Sequence, residues 1–471
     1  MLDLSKLQHI SDIAIDSRKV SNNSLFFCLA PNKEITQQYV DHAISNGAHD
    51  IVYQFEVSQV NGINYYQVDN VFDSYVAFCH SYFNNVSEKL RLVGVTGTNG
   101  KTTITSLIKS IGSHFINSGQ IGTNGLAYNQ IEKDTSLTTP FLHDTLAYLT
   151  EMKKHKVQLC AMETSSEALH QQRTKCLDFD VAIFSNLSHD HLNYHKTFEN
   201  YFLAKKILFD ELKGNAVAIV NQDDPYTPQL IKDSKAKVMT YGINEKADYF
   251  AQNIVLKPTS TTFELVVNNV IYPVETNLVA LFNVSNLLSV IACLHQLGFN
   301  LEEVLPLLKD VKSIDGRLNH IDVNGRHVLV DYAHTPDGFE KIYEYANTIK
   351  KEGRIISVFG SAGKRDKDKR PVLGEIASQY SDVIILTEED NRDEEVIDIA
   401  HEIKRGIKNT KTLIIEDRYL AIKKSVEISK VNDLILILGK GAETFLDRGT
   451  KRENWISDVE AVFEIKKQTD D

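Results

Sequence analysis

The sequence predicts an α/β protein of three domains built on mostly parallel sheets, and three observations predict it. At 471 residues the chain is about three times the ~150 residues of a typical domain. Short apolar runs that end in Gly or polar loops alternate with longer helical patterns, the signature of βαβ units. With 42% hydrophobic and 24% charged residues, the composition matches globular proteins and excludes disordered, collagen-like and coiled-coil chains.

Taken in order, residues 1 to about 90 hold a strand at Ser24–Leu29 and a helix around Tyr39–Asn46 that stops at Gly47, where glycine adopts the left-handed C-cap cheaply. A second unit, 91–312, opens with the strand Leu90–Val95. A third, 313–471, carries strands at Val328–Val330, Arg354–Phe359, Asp382–Leu386 and Asp433–Leu438. Neither an internal repeat nor a low-complexity linker separates them.

Charge and cysteine content narrow the function classes. The chain has 51 Lys+Arg against 63 Asp+Glu, a net −12, which disfavours a bulk-charge grip on nucleic acid or anionic lipid. Any anionic ligand must be held by a local cluster, and no nucleic-acid partner is expected. The five cysteines are scattered singly, without spacing for zinc or a redox dithiol, which fits a reducing compartment. The opening Met-Leu-Asp-Leu-Ser-Lys lacks a basic region followed by an apolar core, and no apolar run nears the ~18 residues that span a bilayer. A cytoplasmic protein with no membrane anchor is expected.

The sharpest motif is Val95-Thr-Gly-Thr-Asn-Gly-Lys-Thr-Thr103, between a strand and the helical pattern Ile104–Ile111. Glycines let the backbone N–H groups of such a loop turn toward a phosphate, and the helix N-terminus adds positive potential. Lys101 can reach the terminal phosphates and the Thr102 hydroxyl can ligate Mg²⁺. Gly97, Thr98, Asn99, Gly100, Lys101, Thr102 and Thr103 are therefore the expected loop for a nucleoside triphosphate, although Val95 stands where the general pattern has its first Gly.

The string Gly97–Thr103 resembles the P-loop of the Mur ligase and folylpolyglutamate synthase superfamily. Met162–Leu169, Phe184–His195, Asp331–Asp337, Phe282–Asn286 and Gly439–Gly441 extend the likeness along the chain. They resemble the Mur ligase branch that adds the third amino acid to UDP-N-acetylmuramoyl-L-alanyl-D-glutamate in cell-wall synthesis. The resemblance implies a UDP-binding α/β domain (1–90), a central P-loop ATPase domain (91–312) and a C-terminal Rossmann-like domain (313–471). It further implies ATP and Mg²⁺ as cofactors, an acyl-phosphate intermediate and a monomer.

Residue by residue, the resemblance implies catalytic roles for Lys101, Glu163, His191 and Lys205, with Thr102, Glu163, His191 and Lys205 around Mg²⁺. Lys205 aligns with the family's carbamylated lysine (N6-carboxylysine). An anion there suits two cations, whereas an ammonium would repel them. Asn283 and Asn286 resemble residues near adenine, Arg317 a phosphate contact and Asp331 a ribose contact. Ser17 resembles the uridine-diphosphate contact, and Thr138, Thr139, Ser165, Gln171 and Arg173 the contacts to the muramoyl dipeptide. Glu167 stands where the family usually has His.

The acceptor amino acid is read from Glu389, Asp390, Asn391 and Arg392, together with Gly439 and Glu443. Diaminopimelate-adding relatives carry Asp-Asn-Pro-Arg here. The ungapped alignment keeps Arg392 in register but loses the proline, while a one-residue deletion resembles the lysine type. The lone ammonium at the far end of lysine favours carboxylates, and diaminopimelate also needs an arginine. With many acids around one Arg392, L-lysine is the expected acceptor and meso-diaminopimelate the alternative. Folylpolyglutamate-type ligation and a silent Mur-like binding protein are more distant readings.

Overall fold

The computed structural model describes residues 7, 9–135, 137–257, 259–350 and 352–470. The opening six residues, on which the absence of a leader was read, lie outside them. The described residues form three units, each built on a sheet with a parallel centre, and a small hairpin.

The first sheet has four parallel strands, Asp12–Ala14, Ser24–Phe27, Asp50–Tyr53 and Asn64–Gln67, in that order. Its helix runs Lys33–Ser45, starting six residues before the expected one, because the Asn32 side chain accepts from the Ile35 N–H at 3.0 Å and caps it. Sequence periodicity finds the apolar stripe Val40 and Ala43, but the first turn is polar and only its cap marks it.

The second sheet has eleven strands. Arg91–Thr96 lies at its centre, parallel to Val181–Phe184 on one side and Leu159–Glu163 on the other. Side chains alternate between two cores: Leu92 faces one, Val93 and Val95 the other. The helix Lys101–Gly112 buries Ile104, Leu107, Ile108 and Ile111 in the second core, an i, i+3, i+4, i+7 stripe. One edge of the sheet is an antiparallel meander, Tyr249–Leu256, Thr261–Val267 and Val270–Thr276, which the strand expectations above omit. Its signal is present in the chain: Thr261–Val267 alternates in burial, and Asn268 and Asn269 both take positive φ at the turn, as a two-residue hairpin loop requires.

The third sheet orders as Asn319–Val323, Arg326–Asp331, Leu434–Leu438, Ile355–Phe359, Val383–Leu386 and Lys411–Ile414. All its pairings are parallel except the first, an antiparallel edge. The strands Leu434–Leu438, Ile355–Phe359 and Val383–Leu386 are buried end to end, as both-face coverage by helices demands. The hairpin Phe445–Arg448 and Lys451–Asn454 follows.

Arg418, fully buried, ties this unit together. It donates to both oxygens of Asp458 at 2.7 Å and to the carbonyls of Glu388 and Leu438 at 3.0 and 2.9 Å. Arg418→Ala should cost about 3–5 kcal/mol, because Asp458 is left buried and unpaired. Denaturant unfolding checks this; an R418M/D458L double variant should recover much of the loss. None of the five cysteines is disulfide-bonded. No helix among the described residues is long and apolar enough to cross a membrane.

Candidate active site

The strands Arg91–Thr96, Leu159–Glu163 and Val181–Phe184 end side by side, and the loops beyond their carboxyl ends carry the expected site residues, where open α/β sheets place ligand sites. After Thr96 the chain turns through Gly97 (φ +147°) and Gly100 (φ +90°). A Cβ on Gly97 would collide with the Ser185 hydroxyl, and one on Gly100 with the Asn286 side-chain oxygen. The loop from Phe184 braces the turn. Asn99 N–H donates to Asn186 Oδ1 (3.0 Å), Thr98 N–H to the Asn186 carbonyl (2.8 Å) and Ser188 N–H to Thr98 Oγ1 (2.9 Å).

Lys101 begins the helix and folds its ammonium onto the carbonyls of Gly97 and Thr98, each at 2.9 Å. Lys205, only 1% exposed, donates to the same Gly97 carbonyl at 2.8 Å and lies 4.5 Å from the centre of the Tyr201 ring. Burial, with Lys101 nearby, drives the Lys205 amine well below the ordinary lysine value. Burial lowers Lys101 as well, opposed by the charges of Glu163 and Asp190.

Glu163 ends its strand almost fully buried and accepts from Thr123 N–H at 2.8 Å and from the Thr123 hydroxyl at 3.3 Å. His191 has a left-handed backbone, φ +53°, uncommon for a residue with a side chain and concentrated at functional sites. Its Nδ1 lies 3.6 Å from Glu167 and its Nε2 3.4 Å from Asp190. Burial raises the Asp190 carboxyl, but the neighbouring side chains of His191, His334 and Lys369, with the His191 backbone N–H, outweigh it and hold the group at about 2.

The expected dipeptide contacts cluster beside Glu163. Thr139 Oγ1 donates to the Glu163 carbonyl (2.9 Å) and accepts from Ser165 N–H (3.0 Å). The Thr138 hydroxyl is 3.2 Å from that of Thr123. Arg173 donates to the Thr139 carbonyl and, through Nε and Nη2, to Gln171 Oε1 at 3.0 and 2.7 Å. Thr138, Thr139, Ser165 and Arg173 line the cleft, whereas Gln171 is exposed outside it and orients the guanidinium. Ser17 lies apart in the first unit, 2.8 Å from His42 Nδ1.

The third unit closes the other wall. Arg317 Nη2 donates to the Thr102 hydroxyl at 3.3 Å, and its guanidinium stacks 4.3 Å from the Tyr332 ring. Asn99 Nδ2 donates to Asp337 at 2.8 Å. Asp331 accepts from Leu318 and Ala333 N–H, each at 2.7 Å. Asn286 Nδ2 donates to Asn283 Oδ1 at 3.2 Å below the P-loop. Together these walls enclose a cleft of about 880 Å³ that reaches from Lys101 and Glu163 to Glu389, Asp390, Arg392, Gly439 and Glu443.

Around the expected acceptor loop, much of the acidity that suggested lysine is already neutralised. Lys440, 1% exposed, donates to Asp390 at 2.9 Å and to Glu443 at 2.5 Å. Glu388 is held by Arg448, Glu394 by Arg370 and Lys367, and Asp393 and Glu395 are exposed. Asn391 spends its amide on the carbonyl of Glu394 at 3.0 Å. Glu389, 6% exposed, lines the cleft, and burial raises its carboxyl pKa. Arg392, at φ +51°, turns into the cleft and donates to the Gly363 carbonyl at 2.6 Å. The sequence reading missed Lys369, His334 and Arg365 in the lining. Lys369 and Arg365 stand in a run of charges, Lys364–Arg370, that alone looks like a solvated loop.

No cluster of three or more His, Cys, Asp or Glu side chains is preformed for a metal among the described residues. The donors that line the cleft nevertheless fit Mg²⁺. The Thr102 hydroxyl and the Glu163 carboxylate are hard oxygen ligands, and Mg²⁺ typically takes one or two protein groups, keeping waters and substrate phosphates for the rest.

Two family models match: the Mur ligase middle domain over residues 95–294 and the Mur ligase, glutamate ligase domain over 316–441. The UDP-N-acetylmuramoyl-L-alanyl-D-glutamate--2,6-diaminopimelate ligase 1 of Clostridium acetobutylicum is 37% identical, over 94% of this chain and 92% of its own. A solved UDP-N-acetylmuramoyl-L-alanyl-D-glutamate--2,6-diaminopimelate ligase superposes with TM-score 0.68 at 30% identity, covering 98% of this chain and 96% of the other. The fold is also that of the MurF ligase from Thermotoga maritima in complex with ADP (TM-score 0.67, 19% identity, 99% of each chain). With matching models over most of its length and relatives that align along nearly all of it, the chain belongs to the Mur ligase family, with the family's three-domain fold and its ATP and Mg²⁺.

Proposed function

We propose that this ligase adds meso-diaminopimelate to UDP-N-acetylmuramoyl-L-alanyl-D-glutamate in the cytoplasm, with the three units cut at residues 90 and 312. The observation that carries the reading is one cleft holding a P-loop, a carboxylate-gripping Arg173 and an acceptor loop with Arg392 turned inward. The side-chain carboxylate of the D-glutamyl residue attacks the γ-phosphorus of ATP and ADP leaves, giving an acyl phosphate. The neutral amine of the acceptor then attacks the acyl carbon, phosphate leaves, and the amine proton passes to solvent.

Arg173, oriented by Gln171, suits a two-pronged grip on the free α-carboxylate, which leaves the other carboxyl to react. Lys101 and Arg317 offer positive charge where the phosphoryl group gains negative charge. Mg²⁺ at Thr102 and Glu163, with His191 and a carbamylated Lys205 at a second position, would supply charge neutralisation of the γ-phosphoryl group. Asn283, Asn286 and Asp331 serve the nucleoside, and Ser17 the uridine diphosphate.

For the acceptor, counting acids favoured L-lysine. Asp390 and Glu443 share Lys440, however, and Arg392 lines the cleft. A cation in the cleft favours an acceptor that carries a distal carboxylate, and the matched relatives of similar length are named 2,6-diaminopimelate ligases. A separate first sheet argues against folylpolyglutamate-type ligation, and the presence of Lys101, Thr102, Glu163, His191 and Lys205 argues against a silent protein.

Product mass spectrometry with the UDP-dipeptide and a panel of amino acids tests the reading. The meso-diaminopimelate product should dominate, with kcat/KM about a hundredfold above lysine, roughly 2.7 kcal/mol. A higher kcat/KM for lysine would overturn the acceptor and leave the ligase reading intact. The absence of any UDP-dipeptide-dependent phosphate release would overturn both.

A further inference from the structure

The hairpin that follows Gly439–Glu443 is built into the acceptor loop. Asp447 N–H donates to Asp390 Oδ1 at 3.0 Å, Arg392 N–H to the Asp447 carbonyl at 2.9 Å, and Gly449 N–H to the Arg392 carbonyl at 2.7 Å. These bonds bring Asp447 and Arg452 to the cleft wall beside Arg392. Arg452 Nε donates to Asp447 Oδ1 at 3.0 Å, and its guanidinium lies 3.9 Å from the centre of the Phe445 ring. Arg392 Nη2 stands 3.9 Å from Asp447 Oδ2, beyond hydrogen-bonding distance.

The result is an alternating array, guanidinium, carboxylate, guanidinium, on one wall of the cleft. Among the described residues, neither terminal nitrogen of Arg452 has a hydrogen-bond partner, and Nη2 of Arg392 has only the loose contact to Asp447. The guanidiniums therefore keep free donors, while stacking on Phe445 and the Gly363 carbonyl fix their planes. The far end of diaminopimelate is itself an amino-acid zwitterion, one carboxylate and one ammonium on one carbon. Lysine presents only the ammonium.

We propose that Asp447 and Arg452 determine acceptor specificity: Arg452, together with Arg392, clamps the distal carboxylate of the acceptor, and Asp447 receives its distal ammonium. The assignment rests on the diaminopimelate reading above. It rests equally on a hairpin outside the acceptor strings that the sequence offers. Because the array neutralises both charges of the zwitterion, it discriminates by chemistry, whereas a single arginine could equally hold a distal carboxylate without an amine.

Steady-state kinetics with three acceptors test it: meso-diaminopimelate, L-lysine, and L-2-aminopimelate, which keeps the distal carboxylate and lacks the distal amine. Arg452→Ala should raise KM for meso-diaminopimelate and L-2-aminopimelate at least tenfold, leave kcat within about twofold, and leave lysine unchanged. Arg452→Lys should recover part of the loss. Asp447→Asn should raise KM for meso-diaminopimelate and lysine but not for L-2-aminopimelate. Unchanged UDP-dipeptide affinity in each variant, measured by calorimetry, establishes that the fold is kept. KM for meso-diaminopimelate within twofold of wild type in Arg452→Ala would overturn this assignment alone. A wild-type preference for lysine would overturn the acceptor reading and this assignment with it.

Discussion

Lys205→Ala should lower ligation at least a hundredfold, about 2.7 kcal/mol of transition-state stabilisation. The side chain is 1% exposed, beside Lys101, and burial depresses its amine strongly. An isolated ammonium there would be costly, so the neutral amine is the favoured form, and that form attacks carbon dioxide. The amine nitrogen bonds to the carbon, a proton leaves, and the buried neutral amine becomes a buried anion within the cleft. Intact-protein mass spectrometry under bicarbonate should show the added mass of one carbon dioxide on wild type and none on the alanine variant. Formate or acetate should restore part of the variant's rate by supplying an anion in the vacated volume. If Lys205→Ala keeps more than about a tenth of the wild-type rate, a loss of only about 1.4 kcal/mol, the carbamate role is wrong.

How far the chain could be read depended on whether the signal was local. The P-loop was legible because one short string joins strand, turn and helix, and the structure adds what the string lacks. Asn186 and Ser188 clamp the loop from another strand end. The parallel core strands were legible as apolar runs, and their expected ends differ from the observed ones by one or two residues. The meander at 249–276 was missed although Asn268-Asn269 marks its turn, because alternating half-buried strands carry fewer apolar residues than buried ones. The acceptor site misled for a different reason. Counting acids cannot show that Lys440, forty-eight residues from Arg392, is buried between Asp390 and Glu443. Charge pairing over that distance is a property of the fold, and so is the inward turn of Arg392.

Lys101→Ala should abolish ADP formation, by a thousandfold or more (about 4 kcal/mol), while UDP-dipeptide affinity stays within about threefold of wild type. Lys101 begins the helix at the P-loop, and its ammonium sits on the Gly97 and Thr98 carbonyls, from which the proposed mechanism moves it onto a terminal phosphate. Preorganised positive charge at a phosphoryl group acts most strongly as negative charge develops, so its loss falls on the rate more than on nucleotide affinity. The separation from the UDP-dipeptide follows from the architecture. Ser17 follows the first strand of the first unit and bonds His42 on that unit's helix. Arg173 is held by Gln171 and the Thr139 carbonyl, and Thr139 by the Glu163 carbonyl and Ser165 N–H, with no hydrogen bond from either to Lys101. Lys101→Met removes the charge with a side chain of similar length and should behave as alanine does. That result would assign the effect to the ammonium and not to a cavity beside Gly97. Calorimetry in which Lys101→Met loses UDP-dipeptide and ATP affinity together would show that the two subsites are not independent, and the division of labour between the sheets would have to be abandoned.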